Sequence, residues 1–534
     1  MAKEAPSAEI VPLRPPGADA ATFHGSRGAA PGGSVPVRRR GHRLRQWRAT
    51  VSNDDLAAWS AVAAFSLYVG IALAGGGGRA LTLTFPLGCV TVALFAYVRS
   101  PATYIGFVLW TWLITPFLRR VFDLHFGFHP ASLLLVGPLL ATMVSGFTLL
   151  RRAQSLRSTM SVPFVLALTA LLYAYVVGLI QQSFIAATYD LMNWSAPLLF
   201  GLHITLEWRR FPRLRSVLTK VALWGLLVTS VYALAQFVQP ATWDRAWVIN
   251  SEMYSVGLPV PYLIRVFSTL NAPGPFAVFL VFAVLIGLPA PQRWKFVALA
   301  LGLTALLLTK TRSAWVAFMV GALVLQLRQP LRKLPRQWIA LAVVLLLAAP
   351  AITHPRIMRV VAGRAASLSN IEDDRSYRER MVITNYVIGR LKHNVVGDGL
   401  GRLGGAGKLQ VSGGRKISVA ALDSGALEVF SVMGWMGGVL FTFSLFGVVI
   451  PIVRERRANR DAVSNGAAAA VIALLLAAFF GNVFNGVSGV IFWTAVGLTT
   501  AGRSYALAME QMRRYSIVPG KPIDPALARF FPAA

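Results

Sequence analysis

The feature that most narrows what this chain can become is a recurring run of about 20 apolar residues, the length a helix needs to cross the hydrocarbon core of a bilayer. Such runs lie near residues 56–74, 81–98, 101–118, 130–150, 161–180, 188–206 and 216–238, and again near 271–289, 294–310, 312–328, 337–352, 423–451, 464–483 and 485–503. In lipid every backbone N–H and C=O must be satisfied within the segment, so runs of this length read as helices. Composition agrees: 55% of the residues are apolar and 14% charged, outside the range of soluble globular chains. The sequence therefore predicts an all-α, polytopic membrane protein with about 14 transmembrane helices, in a range of about 12–14, and one long loop outside the membrane.

Residues 1–55 are rich in Ala, Pro, Gly and Arg and end in the basic run Arg38, Arg39, Arg40, Arg43, Arg45 and Arg48, the composition of a disordered tail. With that tail taken as cytoplasmic, every second connection is basic, as short cytoplasmic loops are. These clusters are Arg151, Arg152 and Arg157; Arg209, Arg210, Arg213 and Arg215; Arg293 and Lys295; Arg328, Arg332, Lys333 and Arg336; and Arg454, Arg456, Arg457 and Arg460. Both termini then face the cytoplasm. The chain divides into a tail (1–55), a first helical block (56–352), an outer loop (353–422), the last helices (423–505) and a second tail (506–534). The net charge of +31 is distributed in clusters between apolar runs, so it reads as a topology determinant and not as a nucleic-acid surface.

Some charges are not explained by topology. Arg265 precedes the run that opens at Asn271, and Lys310 and Arg312 sit in Thr309-Lys310-Thr311-Arg312-Ser313 between two apolar stretches. Ionisable residues at membrane depth are costly and mark a cavity or a partner. The outer loop adds further arginines, among them Arg375, Arg378 and Arg380; long loops are exempt from the charge rule, so a solvated basic surface accounts for most of them. Guanidinium forks bind phosphate oxygens bidentately and stay charged, so arginines gathered at one membrane surface suit a diphosphate and would also stabilise its departure. Catalysis would need a base as well. Asp423 and Glu428 lie where the last helical block begins. Asp423 reads equally as a general base at the membrane boundary or as the cap of the helix behind it, and Glu428, about one turn on, as a buried partner for an arginine. No cofactor or metal is expected: the seven histidines show no ligand-like pairing, Cys89 is the single cysteine, and the glycine-rich stretch 397–405 follows no predicted strand.

Several stretches together carry a resemblance. They are Arg265-Val266-Phe267-Ser268-Thr269-Leu270-Asn271-Ala272-Pro273-Gly274; Leu308-Thr309-Lys310-Thr311-Arg312-Ser313-Ala314-Trp315; Arg375-Ser376-Tyr377-Arg378-Glu379-Arg380 followed by Val396-Gly397-Asp398-Gly399-Leu400-Gly401; and Asp423-Ser424-Gly425-Ala426-Leu427 leading to Gly434-Trp435-Met436-Gly437. In order and placement, over roughly residues 160–500, they resemble the O-antigen ligase and polymerase family (WaaL-like and Wzy-like). The resemblance implies a multi-pass protein of the bacterial inner membrane that transfers glycan from undecaprenyl diphosphate on the periplasmic side, by an inverting reaction and without a cofactor. On it, Arg265, Lys310, Arg312, Arg375, Arg378 and Arg380 would hold the diphosphate, Arg265 and Arg312 would stabilise its departure, Asp423 would act on the acceptor hydroxyl, and Glu428 would support the site. Aspartate stands where the ligases carry histidine, which makes a polymerase of lipid-linked repeat units for an exopolysaccharide or O-antigen the expected branch. A ligase onto lipid A-core or another acceptor, and a transporter or flippase of the same glycan, are the alternatives. Membrane lipids and other polysaccharide synthesis and export proteins are the expected partners.

Overall fold

The computed structural model describes residues 53–75, 78–328, 375–403, 422, 424–454 and 461–514, with isolated positions between 339 and 358. The elements are α-helices and short 3-10 turns, with no strand among the described residues. In chain order the α-helices are α1 (Asn53–Ala74), α2 (Gly78–Arg99), α3 (Pro101–Phe126), α4 (Val136–Met143), α5 (Phe147–Arg151), α6 (Val162–Gln181), α7 (Phe184–Leu206) and α8 (Phe211–Val238). They continue with α9 (Thr242–Asn250), α10 (Pro273–Gly287), α11 (Lys295–Leu308), α12 (Arg312–Leu327), α13 (Arg375–Leu391), α14 (Gly425–Arg454), α15 (Ala462–Ala477) and α16 (Gly486–Arg514). Every predicted apolar run coincides with one of these helices or a pair of them, except 337–352, most of which lies outside the described residues.

Local chemistry fixes the helix starts. Ser100 accepts from Thr103 N at 3.3 Å with Pro101 in the first turn of α3, Ser183 accepts from Ala186 N at 3.2 Å to open α7, and Asp461 accepts from Ser464 N at 2.9 Å to open α15.

Among the described residues, seven helical segments are long and apolar enough to cross a membrane: Asn53–Ala74, Ala80–Arg99, Pro101–Phe126, Leu133–Arg151, Val162–Gln181, Trp208–Val238 and Gly425–Arg454. The expected count of about 14 needs elements of a second kind. Helices α10, α11, α12 and α15 are apolar but have 15, 14, 16 and 16 residues. At about 1.5 Å per residue they reach roughly 21–24 Å, short of a hydrocarbon core of about 30 Å. Helices α7 and α16 are long but carry polar residues, Asp190 in the first and Arg503 and Glu510 in the second.

At the centre stands α10, buried at every residue from Phe276 to Gly287, as befits a helix that is apolar all round. Helices α8, α11, α12, α15 and α16 pack against it. Small residues let backbones approach where α7 crosses α16. A Cβ on Gly201 would stand 2.6 Å from the Trp493 carbonyl oxygen, and one on Gly497 would stand 2.6 Å from the Gly201 carbonyl oxygen. Gly201→Leu is therefore expected to overpack the crossing and cost about 1–3 kcal/mol, seen as a lower thermal midpoint in detergent. An unchanged midpoint would mean that the two helices cross more loosely than described.

Successive helices reverse direction, so the connections gather at two ends. At one end Arg152 pairs with Glu207 at 2.5 Å, Arg215 pairs with Asp461, and Arg328 donates to the Ile452 carbonyl. At the other, Tyr262 N donates to Phe237 O at 2.8 Å, Gln182 Nε2 to Asp398 O at 3.0 Å and Gly425 N to Ala478 O at 2.8 Å. The first is called the basic end below and the second the loop end, because the long connection 239–272 and the turn 397–401 lie there.

Candidate functional site

At the loop end α11 and α12 meet in the turn Thr309-Lys310-Thr311 and touch little beyond it, so they diverge from one vertex. Arg265 is fastened to that vertex. Its Nε donates to Thr309 O at 3.0 Å, its Nη2 to Thr311 Oγ1 at 3.2 Å and its Nη1 to Ser255 O at 2.8 Å. Lys310, with a φ of +54°, reaches back to Leu263 O at 3.2 Å. Arg312 is the first residue of α12. Half-buried Arg265, from a distant part of the sequence, thus joins half-buried Lys310 and Arg312 at the N-terminus of α12, where the backbone N–H groups of the first turn and the helix dipole also favour an anion. The residues singled out by charge alone are brought together here.

Beneath Arg265 lies a buried polar network that sequence reasoning missed. Arg120 of α3 and Asp244 of α9 form an ion pair at 2.7 Å with both side chains fully buried. Arg120 also donates to Ser268 O at 2.5 Å and lies 4.8 Å from the centre of the Phe267 ring. The other Asp244 oxygen accepts from Tyr232 OH at 2.8 Å and Gln236 Nε2 at 2.9 Å. Gln236 in turn accepts from the backbone N–H groups of Phe267 and Ser268, each at 2.9 Å. Ser268 has a φ of +54°, a strained conformation for a residue with a side chain, and the network over-determines it. The available signal was the basic pair Arg119-Arg120 directly after the apolar run 101–118, on a connection outside the basic clusters that mark the cytoplasmic side.

The stretch Gly397 to Gly401 is a docking turn. Gly397, Gly399 and Gly401 have φ of +91°, +72° and +101°, and a Cβ at each would stand 2.3 Å from Gly434 N, 2.3 Å from Gly178 N and 2.7 Å from Ala187 N. Asp398 N and Gly399 N donate to Ser431 O at 2.9 Å and Val432 O at 3.0 Å, beside the kink that Gly434 makes in α14, and Leu400 N donates to Ala174 O of α6 at 3.0 Å. Buried Asp398 accepts from Arg390 Nη2 at 2.6 Å, Arg402 Nη1 at 2.8 Å and Asn394 Nδ2 at 2.9 Å. The C-terminal end of α13 is thereby tied to the helices at the loop end.

Two buried carboxylates lie close by. Asp190 accepts from Gly401 N at 2.9 Å, and Glu428 accepts from Asn485 Nδ2 at 3.3 Å with Asn482 as a second partner. The arginine expected beside Glu428 is replaced by these amides. Helix α14 starts against Ala478 and Gly481, so one turn later Glu428 meets residues 482–485 rather than the cationic cluster. A cavity of about 180 Å³ opens beside the Arg265 segment, lined by Asn271, Thr115, Trp112, Tyr189 and Asn193 among apolar neighbours. The side-chain oxygens of Asn271 and Thr115 are buried there without a hydrogen-bond partner.

Asp423 lies outside the described residues. The hydroxyl that caps α14 is that of Ser424, which accepts from Leu427 N at 3.4 Å. Arg375, Arg378 and Arg380 occupy the first turns of α13, and their side chains lie outside the described residues.

No curated protein matches the chain. Residues 297–442 match the family model described as O-antigen ligase. That span takes in Lys310, Arg312, α13, the docking turn and the start of α14, and Arg265 precedes it. The match over residues 297–442 supports membership of the O-antigen ligase and polymerase family.

Proposed function

We propose that this chain is a membrane glycosyltransferase that polymerises glycan repeat units carried on undecaprenyl diphosphate. The O-antigen ligase domain supports ligase- or polymerase-type activity on lipid-linked glycans. The observation that supports a diphosphate-linked donor is the convergence of Arg265, Lys310 and Arg312 on the turn that opens α12, and aspartate at position 423 is what favours a polymerase over a ligase. In this reading the loop end faces the periplasm of a bacterial inner membrane and both termini are cytoplasmic. The short helices α10, α11, α12 and α15, the polar α7 and α16, and the run 337–352 complete about 14 crossings; protein neighbours shield their polar groups, and the bilayer thins to meet the short ones.

The chemistry follows from the charges. The acceptor hydroxyl oxygen attacks the anomeric carbon of the donor sugar from the face opposite the diphosphate. As that bond forms, the bond from carbon to diphosphate oxygen breaks, the electron pair leaves with the lipid diphosphate, and configuration inverts. Asp423 takes the hydroxyl proton. Arg265 and Arg312, with Lys310, oppose the charge that grows on the departing oxygen, and Arg375, Arg378 and Arg380 on α13 hold the diphosphate from the loop side. Glu428 supports the site from within the bundle through the 482–485 segment.

A deletion strain complemented with the wild-type chain is expected to make long polymer, and Arg312→Ala or Asp423→Ala, checked for membrane insertion, to leave single repeat units. With purified lipid-linked substrate, Arg312→Ala is expected to slow transfer on the order of a hundredfold, as the loss of one preorganised transition-state contact does. Normal polymer from both variants would sink the assignment. Supplying preformed polymer on the lipid carrier, and scoring attachment separately from chain length, separates a ligase from a polymerase.

A further inference from the structure

The basic end of the bundle holds a cavity of about 420 Å³ between α6, α12, α14 and α16, remote from the cationic cluster at the loop end. Arg328, at the end of α12, and Arg503 of α16 line it, together with Thr500, Pro163, Phe164 and Val448. Among the described residues, none that lines it is acidic. Arg328 is held in the wall by the Ile452 carbonyl and by Asn465 Oδ1 at 3.4 Å, so its position is fixed. Val162 also lines the cavity and is 43% exposed, and Ile450 on α14 is 44% exposed. An exposed apolar side chain, that of Val162, therefore borders the opening, with Ile450 next to the lining residue Pro451.

We propose that this cavity binds the phosphate headgroup of an anionic phospholipid, with an acyl chain leaving over the apolar surface of α6 and α14. Two guanidinium groups in one cavity match phosphate oxygens. With no carboxylate among the described lining residues, the ammonium of a zwitterionic headgroup finds no partner there, which sets the preference for a net negative lipid. The apolar opening selects a lipid over a dissolved anion, and the exposed Arg151, Arg209 and Arg213 at the same end of the bundle attract an acidic leaflet. The site depends on the reading of the bundle as membrane-spanning and is independent of the transfer reaction at the other end.

Native mass spectrometry of the full chain in detergent doped with phosphatidylglycerol or phosphatidylcholine tests it. The wild type is expected to retain phosphatidylglycerol in preference to phosphatidylcholine. Arg503→Gln is expected to weaken phosphatidylglycerol binding on the order of tenfold, the effect of losing one charge-assisted contact, while Arg503→Lys keeps most of it. Millimolar inorganic phosphate is expected not to displace the lipid. Equal retention of both lipids by the wild type, unchanged binding in Arg503→Gln, equal loss in Arg503→Lys and Arg503→Gln, or displacement by inorganic phosphate would each overturn the proposal.

Discussion

Asp244→Ala is expected to lower the stability of the chain by about 3–5 kcal/mol, because it strands the Arg120 guanidinium, whose side chain is fully buried. Denaturant or thermal unfolding of the purified protein in one detergent measures it. The effect should also reach the candidate site, since the same network holds the backbone of Phe267 and Ser268, two and three residues beyond Arg265. The double substitution Arg120→Met with Asp244→Leu separates these two consequences. Replacing a buried ion pair by apolar side chains commonly restores stability, so the double variant should regain much of the loss. Transfer activity should stay low, because Ser268 O loses its donor and Gln236 loses the carboxylate that orients it. A stable Asp244→Ala chain would show that the ion pair does not hold the segment.

That network also marks the limit of what the sequence could disclose. The helices were legible because each apolar run reports a single local property, length in lipid, and the runs at 294–310 and 312–328 became α11 and α12. The cations were legible because a charge at membrane depth is conspicuous in its own neighbourhood, and Arg265, Lys310 and Arg312 proved to share one vertex. Pairings are different in kind. Arg120 and Asp244 are separated by 124 residues, and nothing near either names the other. Glu428, one turn beyond Asp423, reads in the sequence as a buried partner for an arginine, but the packing of α14 on residues 478–485 brings amides to it instead. Asp190 could have been found, since it is an acid inside the run 188–206, by the same test that singled out Arg312. The number of crossings was hardest, because α10, α11, α12 and α15 are short in length but apolar in composition, and those two criteria separate only when the helix ends are seen.

The docking turn supplies the other large expected effect, which comes from shape rather than charge. Gly399→Val is expected to reduce glycan transfer to background while the helical content by circular dichroism stays near that of the wild type. At a φ of +72° a β-branched residue is strained, and its Cβ would fall 2.3 Å from Gly178 N, a backbone atom inside α6 that has no freedom to withdraw. The turn must then lift away. Leu400 N loses Ala174 O, Gly399 N loses Val432 O and Gly401 N loses the Asp190 carboxylate. Asp398 leaves with the turn, so Arg390 and Arg402 no longer fasten the end of α13 beside α14. Arg375, Arg378 and Arg380 occupy the other end of that helix, so their hold on a diphosphate would be lost even though none of them is altered. Gly389→Ala is the control: it lies on α13 itself, a Cβ there meets nothing within 4 Å, and alanine suits a helix better than glycine. Activity retained by Gly389→Ala and lost by Gly399→Val would locate the effect in the docking of the turn. Activity retained by both would mean that α13 needs no anchor at the loop end and that the diphosphate is held by the α12 vertex alone.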